Sequence, residues 1–176
     1  MQTNAREQFL VACEQWKKGL LAEAVKYFEA SIRIFDADFS AHFQLGKLYL
    51  YGVNGTDKVV DLEKAEKHLA YAVRLGKAAA TVAGEMQGPT AEALFHLGVA
   101  NYAIASERAR EGYPHKEYLQ QGADCFVEAT ERNPRLAEAY YHAAKCFALL
   151  RKLNGPDDEE SAAHSMKNVE RAIWLD

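Results

Sequence analysis

The sequence predicts an all-α fold made of four antiparallel helix pairs, and three observations lead there. Ala, Leu, Glu and Lys dominate long stretches in which apolar residues return every three or four positions, and strand-like alternation is hard to find. The four prolines, Pro89, Pro114, Pro134 and Pro156, fall between these stretches, where a residue without an amide proton does least harm to a helix. Finally, HFQLGKLY (42–49) returns as LFHLGVAN (94–101), and the flanks of the two copies return with them.

Composition bounds the rest. A chain of 176 residues, 49% hydrophobic and 26% charged, is long enough to bury a core. It holds no run of about eighteen apolar residues, so a transmembrane helix is not expected. The N-terminal MQTNAREQFLVACEQWKKG reads as an amphipathic helix rather than as a basic region, apolar block and cleavage site, which points to a cytoplasmic protein. Cys13, Cys125 and Cys146 are odd in number and scattered, without CxxC spacing, as suits a reducing compartment. A net charge of −4 and a pI near 5.9 argue against nucleic acid or an anionic membrane as the main partner.

The elements follow in order. The first pair opens with Gln8, Val11, Ala12 and Trp16, and its second helix carries Ala24, Phe28 and Ser31 on one face. The second pair repeats this as His42, Leu45, Gly46, Tyr49 and then Ala65, Leu69, Ala72. The third has Leu94, Leu97, Gly98, Tyr102 and then Gly122, Phe126, Ala129. The fourth has Tyr140, Ala143, Ala144, Phe147 and then Ser165, Val169, Ala172. Small residues in these figures let two helices approach closely, and the large residue between them fills the gap.

This pattern resembles the tetratricopeptide repeat (TPR) family, whose signature runs aromatic, two spacers, Leu-Gly, two spacers, Tyr, then Ala, three spacers, Phe, and Pro. The best single match is NPRLAEAYYHAAKCF (133–147). In the second unit Leu45-Gly46, Tyr49, Gly52-Val53, Asp61 and Lys64-Ala65 also resemble the Sel1-like subclass. The resemblance implies a right-handed α-solenoid over residues 1–176 as one domain, with repeats at approximately 3–36, 39–76, 90–134 and 135–176. Three pairs are expected to be lengthened between their helices, at 52–61, 105–117 and 153–161, by loops or by helices that project past the edge; 76–90 separates the second and third pairs. The chain stops at IWLD without a polar capping helix, so a fragment, or a C-terminal face covered by a partner, is expected.

Enzyme signatures are mostly absent: no HExxH, GxSxG, phosphate loop or dinucleotide GxGxxG occurs. No catalytic residue, metal or cofactor is expected. His96 and His142, with Glu92 and Glu138 one turn before them, occupy equivalent places in neighbouring repeats. Packed helix axes lie about 8–10 Å apart, so these groups suit a polar groove lining better than a shared ion. The acidic PDDEES (156–161) reads as a helix N-terminal turn.

A further stripe remains on the first helices: Phe9, Phe43, Phe95 and Tyr141, then Cys13, Lys47, Val99 and Lys145, then Trp16, Leu50, Tyr102 and Ala148. In the repeat family this phase faces a concave surface where partner segments lie. The resemblance therefore implies a groove of Phe9, Phe43, Gln44, Lys47, Phe95, His96, Tyr102, Tyr141, His142 and Lys145, although such a stripe is often plain core. The places of the family's carboxylate clamp hold Phe9, Cys13, Gln44, Glu92 and His96, so an acidic C-terminal tail is not the expected ligand. The reading is a non-enzymatic adaptor for a protein or peptide segment with apolar anchors. Its alternatives are a module that self-assembles through the C-terminal pair, with Ile173 and Trp174 near its end, and a regulatory or recruitment domain of a larger enzyme.

Overall fold

The computed structural model describes residues 2–52, 60–83 and 87–175. Among them are eight helices and no strand: α1 (Gln2–Lys17), α2 (Leu21–Ile34), α3 (Phe39–Tyr51), α4 (Leu62–Ala83), α5 (Gln87–Glu111), α6 (Lys116–Arg132), α7 (Ala137–Asn154) and α8 (Glu159–Leu175). They form two compact units, Met1–Gly84 and Glu85–Asp176. In the first, α1 packs on α2, α2 on α3 and α3 on α4; in the second, α5 packs on α6, α6 on α7 and α7 on α8.

The paired figures explain why each pair closes. Ala24, Phe28 and Ser31 of α2, Ala65, Leu69 and Ala72 of α4, and Phe126 and Ala129 of α6 are fully buried. Each large side chain contributes roughly 1.5–3 kcal/mol of burial. The small residue on the facing helix decides how near it comes. A Cβ built on Gly46 would stand 2.7 Å from Leu69 Cγ, and one on Gly98 would stand 2.7 Å from the Phe126 ring. Leu69 and Phe126 thus lie directly on the backbones of α3 and α5, which only glycine permits.

Of the two forms expected for the lengthened third pair the helical one is found, and two other expectations are corrected. Residues 105–111 are helix. ASERARE contains no helix breaker, Ser106 Oγ donates to the Tyr102 carbonyl at 2.8 Å, and Arg108 lies 4.8 Å over the Tyr118 ring of α6. α5 therefore continues to Glu111, and the chain turns at Gly112, φ +78°. Likewise 76–90 is mostly helix: Ala-rich α4 runs to Ala83, α5 begins at Gln87, and Pro89 sits in its first turn, where no amide proton is needed. The 153–161 stretch shrinks to a short turn, since α7 reaches Asn154 and α8 starts at Glu159. Of the 52–61 stretch, residues 53–59 lie outside the described residues, and so does Val53 of the Sel1-like match.

In the last pair Val169 stands where Leu69 and Phe126 stand in theirs, but it is 43% exposed, whereas Ser161 and Asn168 are buried. Ser165 holds the place of Gly122: a Cβ on Gly122 would stand 3.3 Å from the Gly98 carbonyl, and Ser165 Oγ donates to the Ala144 carbonyl of α7 at 3.1 Å. The helix keeps the register its sequence suggests, with a smaller residue than Leu or Phe in the large position.

Candidate functional site

In the C-terminal unit, the first helices α5 and α7 bring six of the expected groove residues together. Phe95 stands half-buried with one side on the core, its centroid 5.8 Å from Phe126, and His142 meets it edge-on at 5.7 Å. His142 stacks on Phe126 at 5.3 Å, and His96 lies against Phe95. Lys145 places its ammonium 5.0 Å from the Tyr102 centroid and 5.4 Å from Tyr141, bridging α5 and α7. Tyr141 is 56% exposed. The aromatic row follows from helical geometry: Tyr141 and Lys145 are one turn apart on α7 and share a face.

The chemistry of this face is mostly apolar, with sparse polar groups. Burial holds the His142 imidazole below its ordinary value, and the Lys145 charge adds to that. A neutral ring can stack on Phe126 without carrying a buried charge. Its Nδ1 is buried and has no hydrogen-bond partner. Cys146, one turn after His142 on α7, has its thiol pushed up to about 12 by burial, so it is a packing residue rather than a nucleophile.

In the N-terminal unit the corresponding residues are distributed differently. Phe9 is half-buried against Phe28, at 5.7 Å and edge-on. Phe43 is only 7% exposed and stacks on Phe39 at 5.6 Å, so its ring belongs to the core of this unit. Lys47 lies 5.2 Å over that ring, and Gln44 is partly exposed beside it.

A polar cluster that the sequence reading did not assemble lies between α3 and α4. His42 Nε2 faces the Asp36 carbonyl at 3.0 Å, and its Nδ1 faces His68 Nδ1 at 3.1 Å. Since a carbonyl only accepts, Nε2 carries the proton of neutral His42, and His68 donates to the free Nδ1. Tyr71 stacks on His42 at 4.3 Å and donates to Asp36, while Tyr49 stacks on His68 and donates to Glu29. Burial, followed by repulsion from His42 and nearby lysines, brings His68 down to about 4. The available signal was position: His42 opens one helix, and His68 precedes the residue that plugs it.

Among the described residues no group of three or more His, Cys, Asp or Glu side chains is arranged to hold a metal ion. No helix among them is long and apolar enough to cross a membrane.

Helix pairs closed by a small residue facing a large one, with the remaining apolar stripe on the first helices, define the TPR-type fold, and comparison with solved structures agrees. A crystal structure of MamA, a TPR protein, matches 99% of this chain and 74% of its own, with a TM-score of 0.69 at 18% identity. A double mutant of MamA RS-1 matches 100% of this chain and 79% of its own, with a TM-score of 0.58 at 18% identity. The chain is TPR-like. No protein-family model matches it, and comparison by sequence with characterised proteins finds no match.

Proposed function

We propose that this protein is a non-enzymatic interaction scaffold of the cytoplasm, and that the α5/α7 face of its C-terminal unit takes a partner peptide or helix through apolar anchors. The observation that carries this reading is Tyr141. A ring 56% exposed, held by a lysine that also covers Tyr102, is a rigid anchor whose burial by a ligand gives roughly 2 kcal/mol. Phe95, His96 and His142 continue the surface beside it. The N-terminal unit, taken by itself, offers similar chemistry in Phe9, Gln44 and Lys47, with Phe43 beneath Lys47 in its core. The TPR-type fold supports a scaffold role, because stacked pairs of this kind present continuous surfaces to partner segments.

The test is selection from a displayed peptide library against the full chain, followed by affinity measurements on Tyr141→Ala and Lys145→Ala. Selected peptides should carry apolar anchors and lose about tenfold or more in affinity on Tyr141→Ala, with the helical circular dichroism unchanged. Peptides that bind wild type and Tyr141→Ala equally would remove this face from consideration.

A further inference from the structure

We propose that Asn154 is a deamidation site that the fold holds closed, and that its conversion to a carboxylate releases the turn between α7 and α8. Asn154 is followed by Gly155, the residue that favours this chemistry most, because no side chain hinders attack by its backbone nitrogen. The reaction consumes only water. The Gly155 nitrogen, giving up its proton, bonds to Cγ of Asn154, and the side-chain nitrogen leaves as ammonia. Water then opens the resulting succinimide ring at one of its two carbonyls, leaving aspartate or isoaspartate.

Three features of the structure oppose ring closure. Asn154 is the last residue of α7, and helical torsions hold Cγ away from the nitrogen that follows. That nitrogen is itself engaged, donating to the Arg151 carbonyl at 2.9 Å. The leaving group is engaged too, since Asn154 Nδ2 donates to Asp158 Oδ2 at 2.6 Å. All three restraints yield together when the last turn of α7 frays. Asn154 is exposed, and nothing lies within 4 Å of a Cβ on Gly155. Fraying there displaces no packed side chain, so the Asn154–Asp158 bond is the main bar to it.

The product cannot take the place of the amide. Asp158 caps α8 with one oxygen, Oδ1 accepting from the Ser161 amide at 3.0 Å, while Oδ2 accepts from Asn154. The Ser161 amide and hydroxyl, and then Asn154, hold its carboxyl down to about 2, so it is charged under the conditions in which deamidation runs. A carboxylate at position 154 therefore sets two like charges where a hydrogen bond stood. Isoaspartate adds a methylene to the backbone and shifts the turn as well. Either product pulls Asp158 away from its cap and loosens the first turn of α8, where Ser161 is buried. Ammonia is lost to solvent, so the change runs one way.

The experiment incubates the folded 176-residue chain at mildly alkaline pH and follows tryptic peptide 153–167 by mass spectrometry. That peptide contains one asparagine and no glutamine, so its mass gain reads Asn154 apart from Asn54-Gly55. The folded chain should react about tenfold or more slowly than the free peptide, because reaction waits on local opening. Asp158→Ser keeps a cap on α8 but removes the oxygen that holds Asn154, and should speed the reaction roughly threefold with helicity unchanged. Asn154→Asp, the product itself, should speed hydrogen exchange at the Ser161 amide roughly threefold, and Asn154→Ser, which adds no charge, should do so less. A folded chain that reacts as fast as the peptide, an Asp158→Ser rate equal to wild type, or unchanged exchange in Asn154→Asp would each overturn the proposal.

Discussion

Gly98→Ala should destabilise the C-terminal unit, although replacing glycine by alanine inside a helix ordinarily stabilises it by about 1 kcal/mol. The new Cβ would stand 2.7 Å from Phe126 Cε1 and 2.9 Å from Cδ1 and Cζ. To regain ordinary contact at 3.4 Å the ring must retreat by about 0.7 Å. It has nowhere to go, since Phe126 is fully buried and hemmed by Phe95 at 5.8 Å and His142 at 5.3 Å. Overpacking of this kind costs about 1–3 kcal/mol, so the net loss is about 1 kcal/mol once the propensity gain is subtracted. Gly88→Ala is the control, because nothing lies within 4 Å of that Cβ; it should be neutral or stabilising. Urea unfolding followed by circular dichroism measures both. Phe126→Leu in the Gly98→Ala background should then show a coupling of about 1 kcal/mol, the signature of two side chains contending for one space. A Gly98→Ala protein as stable as Gly88→Ala would refute the close approach of α5 and α6.

Other outcomes follow from the same packing. Phe43→Ala should cost about 3–5 kcal/mol, whereas Tyr141→Ala, at an exposed ring, should stay within about 0.5 kcal/mol in the same denaturation assay. Asp38 accepts from the amides of Ser40 at 2.9 Å and Ala41 at 3.2 Å at the start of α3; Asp38→Ala should lose about 1 kcal/mol and Asp38→Asn much less. Thr90 Oγ1 is buried without a hydrogen-bond partner, so Thr90→Val should leave stability unchanged or raise it by about 1 kcal/mol. His68 titrates near 4 in the folded chain against an ordinary 6.5, so the unfolded chain binds the proton more tightly between those values. Stability is then full above about pH 6.5 and falls as pH drops toward 4, by about 1–2 kcal/mol after solvent screening of this partly exposed ring; His68→Gln should flatten that slope.

The helices, their pairing and most of their buried residues were legible because they rest on local periodicity. Leu45, Gly46 and Leu69, or Leu97, Gly98 and Phe126, announce a close contact by size alone. Where helices end was less legible. ASERARE beside Gly112-Tyr113-Pro114 reads as a loop or as a projecting helix alike until Ser106 and Arg108 are seen holding the helix together. Exposure within the aromatic row could not be read either: Phe43 and Tyr141 occupy the same repeat position, yet Phe39 stacks on the first, whereas the second meets His142 only edge-on and stays exposed. The His42, His68, Asp36 and Tyr71 cluster is a tertiary arrangement drawn from two helices and the turn before them, and no local spacing encodes it.

α8 shows that burial depends on what covers a helix as well as on its own residues. Phe126 of α6 is held on one side by Gly98 of its own pair and on the other by His142 of α7, and it is fully buried. Val169 holds the same place on α8 but is smaller and faces Ala144, which already carries a Cβ, and it is 43% exposed. Ser165, one turn earlier, donates to the Ala144 carbonyl at 3.1 Å, so a hydroxyl bonded to the backbone ties α8 to α7 where α6 has only the close approach of Gly122 to the Gly98 carbonyl.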